Sequence, residues 1–351
     1  MINFTDLPTR NKFYAGANGA KRAVIYQGEQ YMLKFPAQAP KNKDLSYANS
    51  CVTEYIGCHI FNSVGINAQE TLLGTYEKNG VKKIVVACKD FTSPGIVLQD
   101  FASLKNTVID SGHSGYGTEL SDIMRAMEDQ TAFPPALLQQ HFWNVFIIDA
   151  LIGNWDRHNG NWGFLYNTAT DEIAIAPVYD CGSCLYPQAD EAIMRDTIDK
   201  QPERDFRTFS IPLSSIKVNG KKINYFDFIS SLENADCSKA LKRILPKINM
   251  DAIFRKTAMF LSYSELLNAL DTGSTTKITI NNKRLNRRNF EQEILIPARG
   301  DFLDGGRAEY NAMLLDKVTD SSNSVVQERY ITLSAHKKNI EEARTFFDRT
   351  V

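Results

Sequence analysis

Three polar side chains with a fixed spacing constrain this chain more than any other feature of its sequence. Asp156 is followed five residues later by Asn161, and Asp180 comes after one short predicted hairpin. A predicted helix over Pro135 to Asn154, apolar around much of its circumference, would carry Asp156 on a rigid support. One Asp can align an attacking hydroxyl, while the Asn and the second Asp offer hard oxygen ligands to Mg²⁺. The spacing therefore predicts a site for phosphoryl transfer from ATP.

The composition is that of an ordinary globular protein. The chain has 351 residues, 43% of them apolar and 23% charged, which is enough for roughly two folding units. A net charge of −1 provides no overall attraction to nucleic acid or to an anionic membrane, so neither is an expected partner. The chain opens without a signal-peptide pattern, and no apolar run approaches ~18 residues. We therefore expect a cytoplasmic protein with reduced cysteines, with secretion as an effector left open.

The first ninety residues predict a small unit rich in β-structure. Four short runs favour strands, and hairpin chemistry separates them, with the Asn79-Gly80 pair giving the strongest turn signal. The runs are Ala23 to Tyr26, Gln30 to Phe35, Glu70 to Tyr76 and Val81 to Cys88.

A loop with two glycines precedes the first of these strands. Glycine allows backbone N–H groups to approach a phosphate closely, although an ordinary tight turn is an equally simple interpretation of the loop alone. The predicted phosphate contacts are Gly16, Ala17, Asn18, Gly19, Ala20 and Lys21.

Lys34 supports a phosphate-binding role for the loop with two glycines. Strand alternation places Lys34 on the face opposite Leu33 and Phe35, and Glu54 lies on a helix predicted over Leu45 to Val64. A strand lysine paired with a helix glutamate, its ammonium reaching the α- and β-phosphates, is the ion pair that kinases assemble. The alternative is a surface lysine and an exposed glutamate, which is the commonest environment of both residue types.

The end of the fourth predicted strand marks a change from strands to loops and helices. In a two-lobed kinase this position is the hinge, whose backbone groups bind the adenine edge. On position alone, we predict that Ala87, Cys88 and Lys89 contact adenine.

The catalytic stretch resembles that of HipA-like serine/threonine kinases. The similarity is carried by Asp149 to Phe164 and Ala176 to Asp180, with Tyr31 to Pro36 and Thr53 to Gly57 in support. It implies an α+β, bilobal protein-kinase-like fold with a β-rich N-lobe over 1–91, a mainly helical C-lobe over 92–272 and an αβ appendage over 273–351. It implies ATP and Mg²⁺ as cofactors, and a protein bearing Ser or Thr as substrate. The implied roles are Asp156 as catalytic aspartate, Asn161 and Asp180 as magnesium ligands, Lys34 as the phosphate contact, Glu54 as its partner and His158 as a further candidate.

The chain departs from this family's pattern in two ways. The glycine loop begins near residue 15, so we expect the chain to resemble short relatives that lack an N-terminal subdomain and act as toxins or effectors, with an antitoxin-like protein as a candidate partner. The loop also contains no Ser or Thr, whereas family members inactivate themselves through a loop serine. Autophosphorylation would then use another residue, and Ser183, Ser210 and Ser214 are unranked candidates.

Other interpretations stay open at this point. The segment Asp156 to Asn161 also resembles the catalytic loop of phosphoinositide-type lipid kinases, and a nucleotide-binding pseudokinase scaffold is a third alternative. The pair Cys181 and Cys184 has redox or zinc spacing, but no second pair accompanies it, so we expect coincidence. The basic stretch Lys277 to Arg288 is interpreted as a solvated face, with a substrate-docking patch as the alternative.

Overall fold

The protein is represented by a computed structural model, which describes residues 2–14, 20–36, 47, 49–109, 114–189, 193, 196–197, 199–249, 278–280 and 283–285. These residues form a mixed α+β arrangement of sheets and helices. The predictions for Gly16 to Gly19 and for the remainder of the C-terminal region lie outside the described residues. The division at 91 and 272 stays a prediction.

A six-stranded sheet forms the N-terminal part. Its spatial order is β1-β5-β6-β4-β3-β2, and β1 runs parallel to β5 while the other neighbours are antiparallel. The four strands expected from the sequence are present, and two short N-terminal strands add to them. The strands are β1 (Ile2–Asn3), β2 (Thr9–Arg10), β3 (Lys21–Tyr26), β4 (Glu29–Lys34), β5 (Thr71–Lys78) and β6 (Val81–Lys89).

Tight turns fix the register of this sheet. Gln27 and Gly28 both have positive φ, 53° and 84°, as do Asn79 and Gly80, at 53° and 74°. Two consecutive residues with positive φ match the right-handed twist of the flanking strands, which is why Asn-Gly favours such hairpins. The turns place Lys21 directly opposite Lys34 in the β3–β4 pair.

Helix α1 (Ser50–Ser63) packs against β5 and β6. It is buried along most of its length, including the polar residues Thr53 and Glu54, which are 0% and 1% exposed. The predicted start at Leu45 falls outside the described residues, and the observed helix begins five residues later. A buried carboxylate on this helix requires a charged or hydrogen-bonding partner, and that partner lies on the sheet.

The remaining described residues form helices together with several short strands. Helix α4 (Pro135–Ile152) is buried on most sides, as its apolar sequence predicts, and ends at Gly153, whose φ of 61° is the left-handed conformation that glycine adopts most easily. No helix in the part of the chain that the structure describes is both long and apolar enough to cross a membrane. The other elements are β7 (Ile96–Asp100), α2 (Phe101–Val108), α3 (Leu120–Asp129), β8 (Gly163–Asn167), β9 (Glu172–Ile175), α5 (Gln201–Asp205), β10 (Leu213–Val218), β11 (Lys221–Asn224), α6 (Tyr225–Ser230), α7 (Ala235–Ile244), β12 (Ile278–Ile280) and β13 (Lys283–Leu285).

Candidate active site

Six of the predicted site residues line one cleft. The cleft has a volume of about 590 Å³, which is in the range of small-molecule sites. The β-sheet contributes one wall, and the segments that follow α4 and β9 contribute the other. Its lining includes Lys21, Lys34, Asp156, His158, Asn161 and Asp180.

Lys34 lies between two carboxylates. Its Nζ is 3.0 Å from Glu54 Oε2 and 2.9 Å from Asp180 Oδ1. The structure thus brings the strand lysine to the helix glutamate, as the sequence predicts, and also to the aspartate that follows β9. The second oxygen of Glu54, Oε1, accepts a hydrogen bond from the backbone N–H of Cys181 at 3.1 Å. Glu54 therefore connects the sheet to the residue after Asp180.

The electrostatics of this cluster favour the charged forms. Burial alone would lower the pKa of Lys34, but the carboxylates of Asp180 and Glu54 outweigh it and raise that pKa well above its ordinary value. The Lys34 ammonium lowers the pKa of Asp180 to about 2, against the opposing effect of burial. Asp180 is therefore ionised at neutral pH, and its side chain is 46% exposed, on the cleft side.

Close packing holds α1 against the segment after Asp180. The Thr53 hydroxyl donates to the Gly182 carbonyl at 3.0 Å, and the Cys184 thiol donates to the Thr53 carbonyl at 3.4 Å. A Cβ atom at Gly57 would lie 2.8 Å from Cys181 Cβ, which is closer than side chains approach. Glycine at 57 thus permits the contact that brings Glu54 to Lys34.

Asp156 lies in the loop that leaves α4. Its backbone N–H donates to Asn154 Oδ1 at 3.1 Å, and its carbonyl accepts from Asn161 Nδ2 at 2.8 Å. Burial raises the pKa of the Asp156 carboxyl, and the nearby charge of Asp180 adds to this, while His158 opposes it. Because the amide nitrogen of Asn161 is engaged, its side-chain oxygen is the atom available to a cation.

His158 lies beside this loop and lines the cleft. Its Nδ1 accepts a hydrogen bond from the backbone N–H of Gly160 at 3.0 Å, and its ring lies edge-on to Tyr116, with centroids 6.3 Å apart. These contacts orient the imidazole. Its predicted catalytic role stays a prediction.

Arg157 is the residue of this loop whose role sequence reasoning missed. The guanidinium is buried and pairs with Asp149 of α4, with Nε to Oδ2 at 3.0 Å. It also donates to the carbonyl groups of Asn161 and Tyr179. The signal in the sequence was Asp149 itself, a single acidic residue within the apolar core-facing helix α4, which demands a buried cationic partner.

The predicted adenine contacts, Ala87, Cys88 and Lys89, lie in strand β6, and their role stays a prediction. Ala87 and Cys88 are 0% exposed and lie inside β6, which pairs with β5 on one side and β4 on the other. Their backbone groups are consequently engaged in the sheet, and Lys89 continues that pairing opposite Tyr31. The residues of this region that line the cleft come directly after the strand, at 90–92.

Asp90 anchors the start of that segment. Its carboxylate accepts from Tyr14 Oη and Gln30 Nε2, both at 2.7 Å, and pairs with Lys12 at 2.6 Å. Burial would raise the pKa of Asp90, but these donors and Thr92 lower it to about 2. The segment that precedes the glycine loop is therefore fastened to the residues that follow β6.

Of the predicted glycine-loop contacts, Ala20 and Lys21 are described. Lys21 lines the cleft next to Lys34, and burial together with the Lys34 charge lowers its pKa. Two lysines side by side on one wall create a cationic surface suited to phosphate groups.

The oxygen ligands on the opposite wall of the cleft suit magnesium. Asp180 offers an ionised carboxylate and Asn161 an amide oxygen, and Mg²⁺ in proteins is commonly bound by one or two such ligands together with the phosphates of a substrate. Across the residues that the structure describes, no group of three His, Cys, Asp or Glu side chains could hold a metal by itself. The residues present therefore fit a magnesium ion shared with a nucleotide.

The cysteines form neither a disulfide nor a metal cage. All six are free and buried. Hydrogen bonding to Cys181 and burial raise the pKa of Cys58 well above its ordinary value, and burial does the same for Cys184. The interpretation of the Cys181 and Cys184 spacing as coincidence stays a prediction.

Comparisons with known proteins show to which family the chain belongs. The model of the HipA-like C-terminal domain matches residues 9–258. The serine/threonine-protein kinase CtkA of Helicobacter pylori is 49% identical over 243 residues, which cover 69% of this chain and 74% of that protein. The crystal structure of the Helicobacter pylori proinflammatory kinase CtkA has a TM-score of 0.66 at 39% identity, covering 91% of this chain and 99% of that chain.

A chain from the Shewanella oneidensis complex of HipA, HipB and operator DNA reaches a TM-score of 0.40 at 12% identity, covering 90% of this chain and 69% of that chain, a level too low to support a structural conclusion. The match to the family model extends over more than two thirds of the sequence, and the CtkA similarity agrees with it. The chain belongs to the family of the HipA-like C-terminal domain.

Proposed function

We propose that this chain is an ATP- and Mg²⁺-dependent protein kinase that transfers the γ-phosphoryl group to a Ser or Thr hydroxyl. One observation carries the proposal: Lys34 contacts Glu54 at 3.0 Å and Asp180 at 2.9 Å in a cleft that Asp156 and Asn161 also line. The similarity to CtkA, which is named a serine/threonine-protein kinase, supports the same reaction.

In this proposal Asp156 acts on the attacking hydroxyl. Its carboxylate accepts the hydrogen bond of the substrate hydroxyl and aligns the oxygen with the phosphorus atom. The raised pKa that burial produces makes Asp156 a better proton acceptor than an exposed aspartate. Its backbone is held at both the N–H and the carbonyl, so the carboxylate keeps its position in the cleft.

Lys34, Asp180 and Asn161 bind the triphosphate end of the nucleotide. The ammonium of Lys34 contacts the phosphates while Glu54 maintains its direction, and Lys21 adds a second positive charge. Asp180 and Asn161 are the residues that would hold Mg²⁺. When bound, this ion neutralises the charge that develops on the phosphate oxygens.

The adenine edge is assigned to residues 90–92 in place of Ala87 to Lys89. This segment lines the cleft, whereas the backbone of Ala87 and Cys88 is committed to the sheet. The carboxylate of Asp90 is already engaged by its donors, and the N–H groups of Asp90 and Thr92 already donate to the Gln30 carbonyl and to the Asp90 carboxylate. The N–H of Phe91 and the carbonyl groups of the segment are therefore the groups that we assign to the base.

A protein substrate is favoured over a lipid. The relative CtkA is named a protein kinase, and its solved structure is described as a proinflammatory kinase, which favours an effector role for this chain over a toxin role. An antitoxin-like partner belongs only to the toxin role.

The candidate autophosphorylation sites differ in their exposure. Ser183 and Ser214 are buried, at 8% and 1% exposure, and the Ser214 hydroxyl accepts from the backbone N–H of Ile216. Ser210 is exposed at the end of the turn after α5. We propose Ser210 as the first site to test among the three, because a kinase can phosphorylate only a hydroxyl that reaches a cleft.

The deciding experiment uses the purified chain, ATP labelled on the γ-phosphate and a cell extract. Labelling of protein on Ser or Thr with Mg²⁺, and its loss in Asp156→Asn, would support the proposal. The matched control is Asp236→Asn, which changes an exposed aspartate on α7. Labelled lipid would replace the proposal with a lipid kinase, and nucleotide binding with no labelled product would replace it with a pseudokinase scaffold.

A further inference from the structure

Arg157 is a buried cation with all of its hydrogen-bonding directions occupied. The side chains of Arg157 and Asp149 are 7% and 1% exposed, and two donors of Arg157 meet the two oxygens of Asp149 at 3.0 and 3.2 Å. A further donor lies 3.4 Å from Cys181 Sγ. The side chain is therefore sealed from the cleft and cannot touch a nucleotide or a substrate.

The remaining contacts of Arg157 join two separate parts of the chain. Its Nη1 donates to the carbonyl of Asn161 at 2.9 Å and to the carbonyl of Tyr179. Asn161 lies in the loop after α4, and Tyr179 immediately precedes Asp180 in the segment after β9. One nitrogen atom thus connects the backbone of one proposed metal ligand to the backbone directly before the other.

The backbone conformation of Asp180 is one that neighbouring contacts must hold in place. Its backbone has a φ of 58°, in the left-handed region that residues other than glycine rarely adopt. Arg157 holds the carbonyl before this residue and contacts Cys181 after it. The neighbouring contacts fix the ends of that unusual turn.

Several further groups hold Arg157 itself. Asp149 is oriented by Asn154 Nδ2 at 2.8 Å, and the carbonyl of Arg157 accepts from the Ser215 hydroxyl at 2.6 Å. The Asn154 carbonyl in turn accepts from Tyr225 Oη at 2.8 Å. The arginine is consequently fixed from α4, from β10 and from α6.

We infer that Arg157 is a positioning residue that sets the separation of Asn161 and Asp180. It thereby determines how much a divalent cation increases the affinity of the site for nucleotide. This rests on the proposed function, because it assigns the two residues to one metal ion. Groups that orient metal ligands typically change metal affinity or activity 10- to 100-fold when they are removed. If the ion pair of Arg157 and Asp149 only stabilised the core, its removal would leave the Mg²⁺-dependent gain in nucleotide affinity unchanged.

The test separates these two roles with a double variant, Asp149→Asn with Arg157→Met. Removing both charges avoids leaving one buried charge unpaired, and the amide introduced at position 149 would still accept from Asn154, so the fold is expected to survive. The thermal midpoint verifies this. The experiment measures the affinity of each variant for a fluorescent ATP analogue, once with Mg²⁺ and once in EDTA. The ratio of the two affinities is the Mg²⁺-dependent gain in affinity.

A matched control removes a different enclosed guanidinium. Arg207 is 12% exposed, pairs with Glu203 at 2.6 Å and has no hydrogen bond to Asn161 or to residues 179–181 among the described contacts. The control is therefore Glu203→Gln with Arg207→Met. Damage to packing alone would lower both affinities by a similar factor in either variant.

The inference predicts that the Mg²⁺-dependent gain in affinity falls about tenfold or more in the Asp149 and Arg157 double variant and stays within about twofold in the control. Arg157→Lys, which retains the charge but not the forked donors, should give an intermediate loss. An unchanged gain in a folded double variant, or in Arg157→Lys if the double variant does not fold, overturns the inference. Wild-type protein that shows no Mg²⁺-dependent gain overturns the proposed function instead, and removes the premise on which the inference rests.

Discussion

The molecule contains two ion clusters that differ in access to solvent. In the first, Lys34 and Asp180 line the cleft, with side chains 15% and 46% exposed. In the second, Arg157 and Asp149 are 7% and 1% exposed and lie behind the loop that carries Asp156. Both join segments distant in sequence.

The difference indicates separate tasks. A cation at the edge of a cleft can exchange a carboxylate partner for a phosphate group, because solvent and ligand reach it. A sealed arginine with fixed donors cannot exchange partners without leaving a charge buried, which is costly. The open cluster is therefore suited to binding and the sealed cluster to holding geometry, and lysine and arginine are used accordingly.

The largest effect is expected where the two clusters meet, at Asp156. Replacing Asp156 by Asn removes the proposed proton acceptor while keeping the shape of the side chain, so labelling should fall by about 10²- to 10⁴-fold. The unfolding free energy should change by less than about 1 kcal/mol, because both backbone contacts of the loop remain. Initial labelling rates and urea unfolding measure the two quantities. Labelling at more than about a tenth of the wild-type rate would contradict the assigned role.

The next effect concerns stability and tests the sealed cluster. Asp149→Ala leaves the Arg157 guanidinium buried without a carboxylate, so the free energy of unfolding should fall by about 3–5 kcal/mol. Asp236→Ala, which removes the exposed partner of Lys239, should cost at most about 1 kcal/mol. Chemical denaturation of both variants measures the contrast. Equal costs would show that the enclosed pair is no more important to the fold than a surface pair.

Lys34→Met tests the open cluster. The variant loses the proposed phosphate contact, and a hydrogen bond to a charged group contributes about 1.5–3 kcal/mol, so nucleotide affinity should fall roughly ten- to hundredfold. Glu54 is 1% exposed and loses its cation in this variant, so the thermal midpoint should also fall. The double variant Lys34→Met with Glu54→Gln, which keeps an acceptor for the Cys181 N–H, should recover much of that loss while the nucleotide affinity stays low. Calorimetric titration with ATP and Mg²⁺ measures the affinity. A large loss of stability at unchanged affinity would reverse the tasks assigned to the two clusters.

Much of the open cluster could be predicted from the sequence, because its residues lie in locally readable elements. Strand alternation places Lys34, helix periodicity places Glu54, and the Asn-Gly turn at Asn79 fixes the neighbouring hairpin. The direct contact of Lys34 with Asp180 was not predicted. It depends on how the segment after β9 folds back on the sheet, which no local pattern reports.

The sealed cluster and the hinge show what sequence reasoning lacked. The role of Arg157 was not predicted, because its link to Tyr179 depends on the tertiary packing of two separate segments. The fourth predicted strand was expected to end at Cys88, whereas β6 continues to Lys89, because sequence patterns locate strand ends only to within a few residues. The adenine contacts at Ala87, Cys88 and Lys89 were predicted from position alone and stay a prediction. Short strands such as β1 were missed because two residues carry no periodicity.

The smallest effect is the acid sensitivity of the open cluster. The folded-state pKa of Asp180 is lowered to about 2, from an ordinary value near 3.9, so its stabilising contribution is complete above about pH 4 and is lost as the pH falls towards 2. Because the Asp180 side chain is 46% exposed, screening should limit its effect to about 1 kcal/mol or less.

Urea unfolding of wild type and Asp180→Asn across pH 7 to 3 measures this contribution as a difference, in which the titration of all other carboxyl groups cancels. The difference should be largest at pH 7 and should shrink below about pH 4, since a protonated Asp180 resembles Asn. A difference that stays constant over the whole range would mean that the contact with Lys34 does not favour the ionised carboxylate. Asp180 would then be only a packed polar side chain, and the open cluster would lose the electrostatic property that distinguishes it from the sealed one.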